Sequence, residues 1–146
     1  MRISTRARYG LRLMLSLARN FKNGYIYLKD IASQEEVSEK YLSLIVIPLR
    51  KAGLLLSSRG ANGGYSLAKA PSSINLKEII EPLEGDLNVI DCVKGEDICK
   101  KSKTCSSQDI WMLLGAKIAD FLAEITLEDL LKMQKEKSDG LLEYII

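Results

Sequence analysis

The chain has 146 residues, of which 47% are hydrophobic and 27% charged. That composition excludes a disordered, collagen-like or disulfide-dense chain and fits one domain, or a small domain with an extension. Net charge is only +2, but residues 1–80 carry 13 Lys/Arg against 5 Asp/Glu, and residues 81–146 carry 8 against 14.

A basic half points to a polyanion such as nucleic acid. The sequence holds no histidine, which removes Ser-His-Asp and Cys-His catalysis and every His-ligated zinc site. With no phosphate-loop signature and no convergent carboxylate pair, an enzyme is not expected. No apolar run approaches the ~18 residues of a membrane span, and none near Met1 has signal-peptide length. A cytoplasmic protein without membrane contact is the expectation.

Residues 4–20 predict a helix. Ser4 or Thr5 can cap it, Tyr9, Leu13, Met14, Leu17 and Ala18 form its apolar face, and Arg2, Arg6, Arg8, Arg12 and Arg19 are the polar complement. Asn23-Gly24 is a turn signal. A short helix follows over 28–34, with Ile31 and Ala32 inward. Ser38 then caps a longer helix to Lys51, whose inward face is Tyr41, Leu42, Ile45 and Leu49. Pro48 should kink it, and Gly53 should stop it.

Residues 54–58 and 65–67 read as paired strands around the turn Arg59-Gly60-Ala61-Asn62-Gly63-Gly64. Two helices, the second opened by serine, followed by a hairpin with a basic glycine-rich tip is the order of a winged helix-turn-helix. Asn75 and Glu78 form a capping-box pattern for a helix with Leu76, Ile79, Ile80 and Leu83 inward, Pro82 near its end and Gly85 after it.

Residues 85–107 read as irregular. A strong helix is predicted over 108–124. Trp111, Leu114, Ile118, Phe121, Leu122 and Ile125 point one way, and Leu113 widens that face. Thr126–Asp129 restarts a helix, with Gly140 as its stop. The expected class is mainly α with a small β-hairpin: a winged-helix unit (1–84), a cysteine-bearing loop (85–107), dimerisation helices (108–137) and a tail (138–146). The long helix has more apolar surface than its own subunit would hide, so a two-fold homodimer through 108–125 is expected.

A recognition helix enters the major groove N-terminus first. Ser38, Lys40, Tyr41 and Ser43 sit at that end and can donate to phosphates or base edges. Arg50 and Lys51 lie at the other end and could reach backbone phosphates. Arg59 at the wing suits a narrow minor groove. Gly60, Gly63 and Gly64 would let the wing backbone approach the duplex, with Tyr65 following and Arg2 at the N-terminus adding charge. The expected partner is a pseudo-palindromic double-stranded operator. Another reading makes the acidic half a docking surface for a partner protein, with the basic half only a tether to DNA.

Cys92, Cys99 and Cys105 cluster in one hydrophilic stretch. A stable disulfide does not suit a reducing compartment or an odd count. Lys94, Lys100, Lys101 and Lys103 favour the thiolate, which is both metal ligand and redox nucleophile. An iron–sulfur cluster ranks ahead of a thiol redox switch and of zinc, because three thiolates leave one position open.

These residues together resemble the IscR/NsrR/CymR-type regulators of the Rrf2 family. The motifs are Met1–Thr5 with Arg8-Tyr9-Gly10, Ser38-x-x-Tyr41-Leu42, Leu49–Leu54, Arg59–Tyr65, and the three cysteines ahead of Trp111 and Ile125–Leu130. The resemblance implies DNA binding through the helix after Ser38 and the Arg59 wing, and dimerisation near Trp111. It further implies a cluster on the cysteines, 2Fe–2S ahead of 4Fe–4S, as in the IscR and NsrR types. Members resembling CymR lack the cysteines and work with a protein partner. The chain departs from the pattern at the fourth ligand. Gln108 stands where the IscR type has histidine, and Arg8 where the NsrR type has a carboxylate. The first inter-cysteine gap is also one residue longer than the commonest pattern. Gln108, Asp109, Asp91 or a small molecule remain open for that role.

Overall fold

In a computed structural model of the chain, residues 1–95 and 98–145 are described, without the side chains of Leu142, Tyr144 and Ile145. The first helix, α1 (Thr5–Arg19), starts where Ser4 Oγ accepts from the Ala7 N–H at 3.0 Å. The Ser4 N–H donates to Glu84 Oε1 at 2.6 Å, tying the chain start to the end of α4 (Leu76–Glu84). Ala7, Leu13, Met14, Leu17 and Ala18 are buried.

After α2 (Leu28–Gln34) comes α3 (Glu39–Lys51), capped as expected by Ser38 Oγ on the Tyr41 N–H at 3.1 Å. Leu42, Ile45, Val46 and Leu49 are buried, while Tyr41 is only half-buried. Pro48 leaves α3 continuous, because the amide hydrogen it lacks would have met the carbonyl of Leu44, a residue on the exposed side. Gly53, at φ +75°, ends the helix as predicted.

Strands β1 (Leu55–Ser58) and β2 (Gly64–Leu67) pair antiparallel, Leu55 opposite Leu67 and Ser58 opposite Gly64. Ile26 adds a bridge on the other side of β2, exchanging backbone bonds with Tyr65 at 2.9 and 2.8 Å. The capping box of α4 is present in both directions, Glu78 N–H to Asn75 Oδ1 at 3.0 Å and Asn75 N–H to Glu78 Oε2 at 2.9 Å. Burial opposes ionisation of Glu78, but the Asn75 amide and Lys69 outweigh it and lower its pKa.

The stretch before α5 (Ser106–Glu124) is irregular, as read from sequence, apart from single 3-10 turns at Asp91–Val93 and Ser102–Thr104. The last helix, α6 (Leu127–Ile145), corrects the expected stop at Gly140. An interior glycine costs only about 1 kcal/mol against alanine, and here the helix runs through it. Leu127 is fully buried in the same core as α1, α3 and α4. The turn before it is pinned by Leu76 N–H to Ile125 O and Leu127 N–H to Ile74 O, both at 2.9 Å. Among the described residues, no helix is long and apolar enough to cross a membrane.

Candidate nucleic-acid interface and cysteine loop

The wing folds back beside α3. Glu39, Ser43 and Arg50 of α3 line one wall of a groove, and Arg59, Gly60 and Gly64 line the other. Two residues from different elements thus line one cleft: Arg50, at the end of α3, and Arg59, at the base of the turn. Both are exposed. Ser43 Oγ donates to the Lys40 carbonyl at 2.6 Å, and Lys40 points to solvent. Arg2 is exposed ahead of α1.

Charge is distributed unevenly along α1. Arg12 Nε donates to Glu35 Oε2 at 2.6 Å and its guanidinium lies over the Tyr9 ring, while Arg19 Nη2 is 3.7 Å from Glu35 Oε1. Glu35 therefore offsets part of the charge at that end. Among the described residues, Arg2, Arg6, Arg8, Lys40, Arg50, Lys51 and Arg59 form no ion pair. These cations, with Lys22 and Lys29, have no carboxylate partner among the described residues to compete with a phosphate.

The glycines of the turn differ in role. Gly60 has φ +94° with open space around it. A Cβ on Gly63 would lie 2.8 Å from the Ser58 carbonyl oxygen, and one on Gly64 would lie 2.2 Å from that of Ile26. Gly63 and Gly64 thus serve the hairpin itself. Tyr65 is half-buried in the ladder to Ile26. Tyr41 packs edge-on against Tyr9, ring centroids 6.0 Å apart.

One residue escaped the sequence reading. The Tyr27 hydroxyl donates to the carbonyls of Gly60 and Ala61, and Lys29 sits 5.4 Å over its ring. Tyr27 therefore fastens the wing tip to the start of α2. Tyr25-Ile26-Tyr27 is rich in strand-forming types, which hinted at the Ile26 bridge but not at the hydroxyl contact.

The chain matches the model of Rrf2, described as an iron-dependent transcriptional regulator, over residues 3–133. It belongs to the Rrf2 family. It is similar to the HTH-type transcriptional regulator CymR of Bacillus subtilis (strain 168), 37% identical over 145 residues, 99% of this chain and all of that protein. The solved structure of CymR, the global cysteine regulator of B. subtilis, superposes with a TM-score of 0.75 at 37% identity, covering 91% of this chain and 98% of that one. That of T. potens IscR superposes with a TM-score of 0.76 at 36% identity, covering 94% and 90%. Like other members of the Rrf2 family, the chain is a DNA-binding transcription regulator and not an enzyme.

The cysteine loop packs at the root of α5. Cys92, Cys99 and Cys105 are free and half-buried. Cys105 is the residue before α5, and Gln108, 8% exposed, donates its side-chain amide to the Cys92 carbonyl. Asp109 is exposed one residue on. Asp91 is engaged by Lys94 at 2.6 Å, which lowers its pKa, and Lys94 also reaches Asp86 at 3.4 Å. The pairing raises the Lys94 pKa and directs that ammonium at carboxylates, not at the thiols. Thiol sulfur is a donor type that iron–sulfur clusters use, so the chemistry of the loop fits one. Among the described residues, however, no three Cys, Asp or Glu groups stand together as a metal site.

Residues on α5 expected to point one way divide in the single chain. Leu114, Ile118 and Leu122 are half-buried, whereas Trp111, Leu113 and Phe121 are exposed, the last two by 62% and 61%. Gln108 and Gly115 are the buried positions of the helix.

Proposed function

We propose that this regulator acts as a homodimer on a pseudo-palindromic operator, gripping each half-site with α3 and the wing. The observation that carries this reading is the shared groove, which Arg50 and Arg59 both line. Ser38, Lys40, Tyr41 and Ser43 serve the groove-entering end of α3, Arg2 and Arg59 meet phosphates or the minor groove, and the open Gly60 allows close approach. The exposed stripe of α5, with Leu113 and Phe121, supports association of two copies. Residues 1–84 then form the reading unit and 85–107 the sensing loop.

Operator affinity is set by that loop. Cys92, Cys99 and Cys105 would hold an iron–sulfur cluster, 2Fe–2S ahead of 4Fe–4S. When bound it supplies an oxidation-sensitive centre. Gln108 already ties Cys92 to α5, so ordering of the loop and placement of the dimer helix are linked. A second reading, favoured by the free thiols and the separated donor groups, is a cluster-free regulator controlled by thiol oxidation or by a partner protein.

Anaerobic purification with an absorption spectrum and iron and sulfide assays, on wild type and Cys99→Ala, separates them. Brown protein with near-stoichiometric iron and sulfide, lost in the variant, supports the cluster. Colourless protein that binds DNA and responds to thiol oxidants supports the second reading.

A further inference from the structure

The outward face of α3 is not uniformly polar. Lys40, Leu44, Ile47 and Lys51 follow one another at spacings that put them on one side of a helix, opposite the buried Leu42, Ile45 and Leu49. Leu44 is 55% exposed and Ile47 is 48% exposed. A helix face meant only for water places polar residues there. Here two branched aliphatic side chains occupy the middle of a row that ends in lysine on both sides. Together with Arg6 and Pro48 they border a shallow depression. Arg6, Lys40 and Lys51 have no carboxylate partner among the described residues.

A surface that is apolar in the centre and cationic at the edges fits a polyanion that carries methyl groups. In the major groove the base edge offers one apolar group, the C5-methyl of thymine. We propose that Leu44 and Ile47 read thymine methyls at two positions of each half-site, while Lys40 and Lys51 hold the flanking phosphates. The inference rests on the reading that α3 enters the major groove. It adds that this chain selects thymine there by apolar contact, whereas the hydrogen-bonding side chains of α3 lie to either side. A protein partner would also cover apolar side chains, but the unpaired cations around these two favour DNA.

The test begins with an operator selected by the wild-type protein from random duplexes. Each thymine is replaced in turn by deoxyuridine, which removes one methyl and nothing else. One or two positions per half-site should then lose about fourfold in affinity, the worth of one buried carbon. The loss at one position should vanish in Leu44→Ala and at the other in Ile47→Ala, with the salt slope unchanged. No uridine-sensitive thymine, or sensitivity that persists in both variants, overturns the proposal. The uridine scan uses wild-type protein alone, so a scan with no sensitive thymine overturns the proposal even where a variant folds poorly. If α3 is not in the groove at all, the outcome is different: Lys40→Ala and Lys51→Ala keep wild-type affinity and salt slope.

Discussion

The backbone of Gly64 lies against the carbonyl of Ile26, so close that a Cβ would fall 2.2 Å from the oxygen and 2.4 Å from the carbon. The contact locks the wing to the segment between α1 and α2, and φ at Gly64 is +121°. Gly64→Ala should therefore cost about 2–4 kcal/mol, combining backbone strain with overpacking against atoms that cannot rotate away. Gly60, also at positive φ but in open space, should cost only about 1 kcal/mol as alanine. Urea unfolding of both variants checks this. Equal costs would mean that the Ile26 contact contributes nothing.

Tyr27 and Arg59 make a second pair to separate. Arg59 is exposed and unpaired among the described residues, so Arg59→Ala should weaken operator binding at every salt concentration and lower the salt slope by about 1. Tyr27→Phe removes the hydroxyl that holds Gly60 and Ala61. It should reduce affinity while stability changes by no more than about 1 kcal/mol, the net worth of an ordinary hydrogen bond. Because both act through the wing, the double variant should lose less than the sum. Strict additivity in a binding cycle would show that Tyr27 does not position Arg59.

Local rules made much of this fold legible. Ser4, Ser38 and the Asn75–Glu78 box cap where their side-chain chemistry says they should, because a cap is decided within four residues of chain. The wing followed from Arg59–Gly64 for the same reason. What stayed hidden depends on contacts across the chain. Ile26 joins β2 and Tyr27 holds the wing tip through partners 39 and 33–34 positions away. Lys94 turned out to serve Asp86 and Asp91, a choice among neighbours that composition does not make. Gly140 misled because a glycine stops a helix only where the following chain departs from it.

The start of α6 carries a pH dependence. Asp129 accepts from the Thr126 N–H at 2.9 Å and from its hydroxyl at 3.0 Å, and these bonds, the backbone one foremost, hold its pKa below the ordinary 3.8. A depressed carboxylate stabilises the fold above its unfolded pKa, and that contribution is lost as pH falls through the folded value. The thermal midpoint of Asp129→Ala should thus lie furthest below wild type from neutral pH down to about pH 4, near the unfolded value. The gap should close in stronger acid. A gap independent of pH would mean that the charge on Asp129 is irrelevant to the cap.

In the proposed dimer, Leu113 and Phe121 are the side chains a second copy would cover. Both are more than half exposed on α5, a helix whose other side lies against α4 and the turn at Asp91–Val93. A carboxylate at Phe121 would be desolvated in a dimer and solvated in a monomer, so Phe121→Glu should shift the protein to monomer without lowering monomer stability. Light scattering across a dilution series reads the shift. Operator affinity should fall with it, since a monomer engages one half-site and forfeits the gain from linked binding. A half-site duplex should still bind the variant as it binds wild type. If Phe121→Glu remains dimeric, the interface lies elsewhere, and the proposed link from the Cys92–Gln108 contact to the placement of the dimer helix fails with it.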